Sequence, residues 1–341
     1  MNKAPLATCL IVVLPVAAHS VARWNGDALT GNNPPARNVN IPAVVQNNIV
    51  RILLGYQIRG SGIETQVFGS GTVLDFTRTD NTGRLCILTG NHNTAIPANA
   101  VAGLALVFAG FGNGTEFNPP RLSTRVRNVM RPPANGQGRA PDIAIFSVDV
   151  TDWNAQVGRE LSRLQVADVV ADRDLVIAGY GRTGRVDVAN RRYEITNDAF
   201  GTLRSGTNRS DGIVGHTTEV SPRVNLQYEY QSIESSMQFR PAAPADPTSA
   251  DAHFLNMDSG GPTLQQQGEN WRVIGVHSES EARADATVPE ASREWDVQLN
   301  AYAGWINDTC RTALVPEPST TFVLITAVAG ISLGRLRRRK A

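Results

Sequence analysis

The chain has 341 residues, of which 41% are hydrophobic, and its 32 basic and 31 acidic residues give a formal net charge of +1. This length and hydrophobic content are sufficient for a globular protein with a buried core. A net charge so close to zero produces no overall field that would attract nucleic acid or an acidic polymer, so nucleic-acid binding receives no support.

The amino terminus has the organisation of an export signal. Lys3 precedes an apolar run over residues 6–18, and small residues follow at Ser20 and Ala22. This order predicts a signal peptide over residues 1–22 that signal peptidase removes, and therefore an exported mature protein. A short buried helix is the alternative interpretation of the apolar run.

The central part of the chain predicts a mainly β structure. Its 30 glycines and 19 prolines, together with few long amphipathic stretches, are typical of short strands joined by many turns. Residues 23–46 predict an irregular leader. Strands are predicted over residues 49–54, 65–76, 85–89, 104–108, 142–148, 175–180, 224–230, 262–264 and 271–276, followed by one amphipathic helix over residues 300–309.

Cysteine usage is sparse. Cys9 lies within the predicted signal peptide, so Cys86 and Cys310 remain, and they either pair in an oxidising compartment or stay as buried thiols. No group of Cys or His residues has the spacing of a zinc site, and no glycine-rich phosphate loop opens a helix. We therefore predict neither a metal nor another cofactor.

A candidate nucleophile lies in the sequence M-D-S-G-G-P over residues 257–262. The two glycines after Ser259 allow a tight turn and let a substrate approach the hydroxyl without a Cβ in its way. A serine hydroxyl is a weak nucleophile, so it needs a base within hydrogen-bond reach and a carboxylate that orients this base. A surface glycine turn is the alternative interpretation.

His92 and Asp142 are the candidates for base and carboxylate. His92 ends C-I-L-T-G-N-H-N, where a predicted strand passes into a loop that a substrate could reach. Asp142 opens the apolar strand D-I-A-I-F, where a carboxylate is costly unless it has a partner such as His92 Nδ1. A structural histidine and a turn-forming aspartate after Pro141 are the alternatives.

These motifs, in the order His, Asp, Ser, resemble the trypsin and chymotrypsin family, peptidase S1. Further similar segments are V-F-G-S-G-T-V-L, I-A-G-Y-G-R-T and L-N-A-Y-A-G-W-I-N, over residues 67–74, 177–183 and 299–307. The resemblance implies an all-β fold of two packed six-stranded antiparallel β-barrels with a C-terminal helix. In this sequence the implied protease domain is 47–312, with a first barrel at about 47–155, a second at about 165–300 and a closing helix at 300–310.

The resemblance also implies a mechanism and a set of site residues. Ser259 would attack a peptide carbonyl, His92 would take and return the proton, and Asp142 would orient His92. The backbone N–H groups of Met257 and Ser259 would form the oxyanion hole. Met257 departs from the glycine that is usual at its position, and Asn93 replaces a cysteine of the family.

One further departure concerns activation. Asp258 corresponds to an aspartate that in the family commonly pairs with a newly exposed N-terminal amine. No Arg-Ile-Val-Gly-Gly site precedes Ile49 in this sequence. Whether this chain is activated by cleavage therefore stays open.

Four residues are candidates for substrate binding. By the same resemblance, His253 would lie at the base of the specificity pocket, where an aspartate specifies cleavage after Lys or Arg, and this argues against trypsin-like specificity. His277, in V-I-G-V-H-S, resembles the pocket histidine of bacterial glutamyl endopeptidases. Together with Ser278, Ser280 and His253 it leads to the hypothesis that acidic or polar residues precede the scissile bond. A histidine in the core is the alternative for His277.

The carboxyl terminus, residues 313–341, has the pattern of a sorting tail. V-P-E-P-S-T begins at Val315, an apolar segment covers residues 320–334, and R-L-R-R-R-K follows. This order resembles the PEP-CTERM signal of Gram-negative bacteria that make exopolysaccharide, which implies processing by an exosortase. The apolar segment is shorter than the roughly 20 residues that span a bilayer, and the basic end would stay in the cytoplasm. We predict a transient membrane anchor, with a permanent tether as the alternative.

The sequence thus predicts an exported serine endopeptidase that acts on protein or peptide substrates. Its predicted location is the periplasm, cell surface or extracellular matrix of a Gram-negative bacterium. A catalytically inactive protease homologue that binds ligands at the cell surface or in the matrix is the main alternative. A structural matrix protein is a further one, because sorting tails occur on unrelated proteins.

Overall fold

The computed structural model describes fourteen stretches of the chain, and the statements below concern these stretches only. They are residues 19–23, 41–57, 64–96, 106–111, 127–135, 138–171, 173–181, 183–187, 192–196, 203–221, 226–236, 252–255, 258–280 and 293–315. Most of the predicted signal peptide and leader and nearly all of the predicted sorting tail lie outside them. No helix in these stretches is long and apolar enough to cross a membrane.

The first half of the chain forms one antiparallel sheet of six strands. The elements of this half of the chain are β1 (His19–Arg23), α1 (Ala43–Gln46), β2 (Ile49–Gln57), β3 (Glu64–Thr79), β4 (Thr82–Thr89), β5 (Leu106–Gly110), β6 (Arg127–Met130), β7 (Ala144–Val150) and α2 (Trp153–Gln156). All of its strands except β1 belong to the sheet. The order in the sheet is β5-β2-β3-β4-β7-β6. The strands β2, β3 and β4 are consecutive in the chain and adjacent in the sheet, as expected where short turns join strands.

The second half forms a sheet of eight strands. The elements of this half of the chain are β8 (Gln165–Val166), β9 (Asp174–Gly179), β10 (Thr183–Asp187), β11 (Arg192–Thr196), β12 (Arg204–Arg209), β13 (Gly212–Ser221), β14 (Leu226–Ser236), β15 (Ala252–Leu255), β16 (Pro262–Gln267), β17 (Asn270–Ser280), β18 (Arg293–Gln298) and α3 (Ala303–Leu314). All of its strands except β10, β11 and β15 belong to the sheet. The order is β12-β9-β16-β17-β18-β14-β13, and β8 pairs with β17. Two further sheets have two strands each, β10 with β11 and β1 with β15.

The predicted all-β class with a C-terminal helix is confirmed. The first sheet has the expected six strands, whereas the second has eight. The strands β8 and β18 of the second sheet were not predicted, and neither were β12 and β13. These two strands read R-S-G-T-N-R and G-I-V-G-H-T-T-E-V-S, and neither has the alternation of apolar and polar residues that marks a half-buried strand. The predicted helix over 300–309 is observed as a 3₁₀ turn, Asn300–Tyr302, followed by α3.

The largest apolar cluster joins the two sheets to α3. It combines Ile49, Leu74 and Leu88 of the first half with residues of the second half and of the helix, among them Val176, Leu264, Val297, Ile306 and Leu314. Burial of this shared surface holds the halves together. The active-site candidates lie along the boundary between them.

Cys86 and Cys310 form a disulfide, with Cα atoms 5.4 Å apart. The bond connects α3 to β4, the strand that leads to His92. Of the two alternatives that the sequence left open, the structure therefore selects the paired cysteines.

The strand β1 covers residues that the sequence assigns mainly to the end of the signal peptide. It pairs antiparallel with β15, with Ala22 opposite His253 and Arg23 opposite Ala252. Removal of the signal peptide stays a prediction.

Candidate active site

The pairing of β4 with β7 brings His92 and Asp142 together. Thr89 at the end of β4 lies opposite Ala144 at the start of β7. His92 follows β4 in a 3₁₀ turn, Asn91–Thr94, and Asp142 comes two residues before β7. Both side chains are therefore at the same edge of the first sheet.

The carboxylate of Asp142 is fully buried and accepts three hydrogen bonds. One oxygen lies 2.6 Å from His92 Nδ1 and accepts a second bond, at 2.7 Å, from the hydroxyl of Ser278. The other oxygen accepts the backbone N–H of His92 at 2.9 Å. Since a carboxylate accepts, Nδ1 carries the proton in this contact, which leaves Nε2 as the ring nitrogen that faces away from Asp142.

Ser259 lies in a tight turn formed by residues 258–261. The N–H of Gly261 donates to the carbonyl of Asp258 at 2.7 Å, and Gly260 has a φ of +81°. A positive φ at the third position is what a type II turn requires, and glycine adopts it without strain. A Cβ at Gly260 would also lie 2.2 Å from Thr89 Oγ1, so only glycine fits here.

The turn is bound to both halves of the molecule. The carbonyl of Ser259 accepts the N–H of Ser70 at 2.8 Å and the side-chain amide of Asn93 at 2.6 Å, both from the first half. The N–H of Gly260 donates to the carbonyl of His277 at 2.8 Å, in the second half. These bonds place Ser259 at the boundary, beside the turn that carries His92.

The ring of His92 and the nucleophile turn border the same small space. A Cβ at Gly90 would lie 2.9 Å from His92 Cε1 and 3.5 Å from Gly260 Cα. Among the hydrogen bonds of the described stretches, none joins the ring of His92 to the hydroxyl of Ser259. In enzymes without substrate this bond is often long and shortens when substrate binds.

One of the two predicted oxyanion donors can be located. The backbone N–H groups of Gly260 and Gly261 both donate within the protein. Within the described stretches the N–H of Ser259 is not among the donors. Met257, the second predicted donor, lies outside the described residues.

Asp258, next to the nucleophile, is fully buried behind the turn. One of its oxygens accepts the N–H of Gly181 at 2.7 Å, and a Cβ at Gly179 would lie 2.0 Å from it. Gly179 of the I-A-G-Y-G-R-T motif therefore makes room for this carboxylate, and Gly181 of the same motif donates to it. Burial raises the pKa of Asp258 well above its ordinary value, while the Gly181 N–H and the charge of Arg204 act in the opposite direction.

His277 is fully buried below the nucleophile turn. Its Nδ1 lies 2.8 Å from an oxygen of Asp296, and the hydroxyl of Thr263 donates to the other oxygen. A Cβ at Gly261 would lie 2.9 Å from His277 Cδ2, so the ring packs directly against the turn. The structure thus gives His277 a buried carboxylate partner.

The other predicted substrate-binding residues are described unequally. Ser278 directs its hydroxyl to Asp142, as given above. His253 and Ser280 lie on β15 and β17, but their side chains are outside what the structure describes. Their role in substrate binding stays a prediction.

Sequence reasoning missed four polar residues that shape the site: Ser70, Asn93, Arg204 and Asp296. The sequence analysis named Asn93 only as a substitution for a cysteine. No local pattern marks the other three, because each meets its partner across a separation that only the fold closes. The described stretches contain no group of three or more His, Cys, Asp or Glu residues that could hold a metal ion.

No family model and no curated protein matches the sequence. Among solved structures, the chain is similar to the scabies mite inactivated protease paralogue S-I1, at 15% identity and a TM-score of 0.45, over 81% of this chain and 99% of that one. It is also similar to the Rv3671c protease from M. tuberculosis in its active form, at 16% identity and a TM-score of 0.44, over 94% of this chain and 98% of that one. One of these two proteins is described as active and the other as inactivated.

Proposed function

We propose that the chain is an exported serine endopeptidase in which Ser259 is the nucleophile, His92 the base and Asp142 the orienting carboxylate. The observation that carries this proposal is the contact of His92 Nδ1 with the buried carboxylate of Asp142, at 2.6 Å, beside a serine in a turn bound to both sheets. A serine, a base and a carboxylate at one junction are the components that acyl transfer requires.

The proposed reaction proceeds through an acyl-enzyme. Ser259 Oγ attacks the peptide carbonyl while Nε2 of His92 takes its proton, and Asp142 stabilises the imidazolium. The N–H of Ser259 donates to the oxyanion. His92 then protonates the leaving amine, and water releases the acyl group by the reverse transfer.

For the residue before the scissile bond we propose an acidic or polar side chain that His277 recognises. The position of the ring against Gly261 supports this, since the substrate carbonyl must come close to the same turn. The buried carboxylate of Asp296, 2.8 Å from His277 Nδ1, would repel a second carboxylate nearby, which favours neutral polar side chains over acidic ones. In a panel of peptides, a preference for Arg or Phe at this position would contradict the assignment.

The test of the catalytic proposal is labelling of the full-length chain with a fluorophosphonate probe. We expect the wild-type protein to react, Ser259→Ala to lose the label, and His92→Ala to react at least about a thousandfold more slowly. Ser210→Ala, which changes a hydroxyl in the turn between β12 and β13, serves as the matched control and should react like the wild type.

A catalytically inactive homologue that binds ligands at the cell surface or in the matrix is the second candidate. The observation that favours it is the lack, in the described stretches, of a hydrogen bond between His92 and Ser259. A folded wild-type protein that takes no label would support this candidate and overturn the first.

We also propose that signal peptidase removes residues 1–22 and that an exosortase-type enzyme cuts at Pro316-Glu317-Pro318 after transient anchoring in the membrane. The order of motif, apolar segment and basic end supports this. Intact mass measured on protein from a Gram-negative host with such an enzyme should correspond to a chain without either end. A mature protein that retains residues 319–341 would exclude the second cut.

A further inference from the structure

The side chain of Asn93 fills a narrow slot between the two halves of the site. It is 2% exposed, and glycines border it on two sides. A Cβ at Gly69 would lie 2.4 Å from Asn93 Nδ2, and one at Gly260 would lie 2.5 Å from it. No larger residue fits at either glycine while the amide keeps its place.

The amide nitrogen of Asn93 donates two hydrogen bonds. It reaches the carbonyl of Ser259 at 2.6 Å and the hydroxyl of Thr89 at 3.2 Å. Thr89 in turn donates to the carbonyl of Ser70 at 2.7 Å, and the N–H of Ser70 donates to the same Ser259 carbonyl at 2.8 Å. The four residues form a closed network around one carbonyl oxygen.

The orientation of the amide follows from this network. Its Oδ1 has no hydrogen-bond partner within the described residues. A rotated amide would direct Oδ1 at the Ser259 carbonyl, so that two acceptors faced each other in a buried site, which is costly.

The peptide group between Ser259 and Gly260 is therefore held at both ends. Its oxygen accepts from Ser70 and Asn93 in the first half, and its N–H donates to the carbonyl of His277 in the second half. This group belongs to the residue whose hydroxyl and N–H are the proposed nucleophile and oxyanion donor. A rotation of the group would move both of them relative to His92.

We propose that Asn93 is a positioning residue for the nucleophile, which acts by fixing the carbonyl of Ser259 against the turn that carries His92. The proposal rests on the proposed function for its effect on rate, while the fixation of the turn is a property of the structure alone. Asn93 is not a catalytic residue, because it contacts the backbone of Ser259 and no reacting atom.

The test uses Asn93→Asp in the full-length chain. The substitution keeps the shape of the side chain and replaces the donor by an acceptor, so the Ser259 carbonyl loses a partner and faces a carboxylate. Reactivity toward a fluorophosphonate, relative to the wild type, should fall about tenfold or more at pH 8. Burial disfavours the charged form of a carboxyl group, and a protonated carboxyl can donate again. The ratio of variant to wild-type rate should therefore rise as the pH is lowered.

Two further variants separate positioning from general loss of stability. Asn48→Asp alters another fully buried amide, which donates to the carbonyls of Val73 and Ser162 at 2.6 Å each, away from the site. We expect it to lower the melting temperature without a change in relative reactivity. If Asn93→Asp does not fold, Asn93→Ala removes the donor without a charge and should show the loss of rate at every pH.

Amide hydrogen exchange gives a readout that does not depend on catalysis. Peptides that cover residues 258–262 should exchange faster in the Asn93 variants than in the wild type and in Asn48→Asp. If the wild type takes no label, the proposed function fails, and this exchange measurement still decides the role of Asn93. Unchanged exchange in these peptides, or unchanged relative reactivity in a labelled protein, would overturn the inference.

Discussion

The two sheets differ in what fills their interiors. The first sheet encloses an apolar cluster that includes Val50, Ile52, Ile87 and Phe146. The corresponding apolar cluster of the second sheet consists, in the described residues, of Leu175, Ile233 and Ile274. Most other buried apolar residues of the second half belong to the cluster that it shares with the first half and α3.

Buried polar groups occupy much of the remaining interior of the second half. Thr263, His277 and Asp296 form one connected group, and Asp258 with Gly181 forms another. Within the described residues, the comparison teaches that the interior of the first sheet is mainly apolar, whereas that of the second combines apolar packing with connected hydrogen bonds whose partners must all be present. The proposed nucleophile is on the half with the polar interior, and its base is on the other.

The largest expected effect concerns Asp142, where the two halves meet through the hydrogen bond from Ser278. Asp142→Asn keeps the shape of the side chain but no longer selects the tautomer with the proton on Nδ1 of His92. We expect kcat/KM, or the rate of fluorophosphonate labelling, to fall by roughly 10⁴-fold. Stopped assays at several pH values measure this loss.

Ser278→Ala is the control for Asp142→Asn, because it removes one donor and leaves the carboxylate bonded to His92. A much smaller loss of rate is expected for Ser278→Ala. Equal losses for both variants would mean that the tautomer of His92 does not depend on the carboxylate.

The second prediction compares the same substitution in the two interiors. Thr263→Val removes a hydroxyl that donates to Asp296, so a buried acceptor loses its partner and the free energy of unfolding should fall by about 1–3 kcal/mol. Thr72 in β3 is also fully buried, but within the described residues its hydroxyl has no partner. Thr72→Val should therefore be neutral or slightly stabilising.

Urea unfolding measures both threonine variants. A shift of the midpoint at constant slope reports a change in stability. Equal destabilisation by the two substitutions would contradict the difference between the interiors.

The last prediction concerns the pH dependence of stability contributed by Asp258. Burial raises its pKa, so between the ordinary and the raised value the folded state keeps a proton that the unfolded state has released. Stability should therefore fall as the pH rises through this window, by at most about 1.4 kcal/mol per pH unit. Asp258→Asn lacks this component. The free energy of unfolding of the wild type minus that of the variant should therefore decrease as the pH rises above about 4.

Asp152→Asn is the matched control for Asp258→Asn, because the pKa of Asp152 is shifted in the opposite direction. Hydrogen bonds from the Ala155 N–H and the Asn81 side chain lower the pKa of Asp152. Its contribution to stability is present above the ordinary carboxyl pKa and is lost as the pH falls through the lowered value. Urea midpoints between pH 3 and pH 8 should show the two opposite trends, and parallel trends would contradict the assignment for Asp258.

The strands of the first half were largely predictable from local sequence. The run I-V-R-I-L-L predicted a strand over 49–54, and the structure extends it to Gln57. The apolar run before His92 and the one after Asp142 correspond to β4 and β7. Strands that are buried on both faces have continuous apolar sequences, which local reasoning detects.

The polar strands of the second half were not predictable in the same way. All six residues of β12 pair with β9 in an unbroken antiparallel register, but its sequence R-S-G-T-N-R is typical of a loop. Its partners, and not its own composition, make it a strand, since β propensity depends strongly on context.

The sequence by itself determined the fold class, the C-terminal helix and the three residues proposed for catalysis, because these are recorded in local patterns of apolar residues, glycines and short motifs. Only the tertiary structure decided that Cys86 pairs with Cys310, that Ser278 donates to Asp142, and that Asn93 holds the carbonyl of Ser259. In the last of these pairs 166 positions separate the partners. Hydrogen bonds act over about 3 Å, so partners that are distant in the chain become defined only when the sheets have formed and packed.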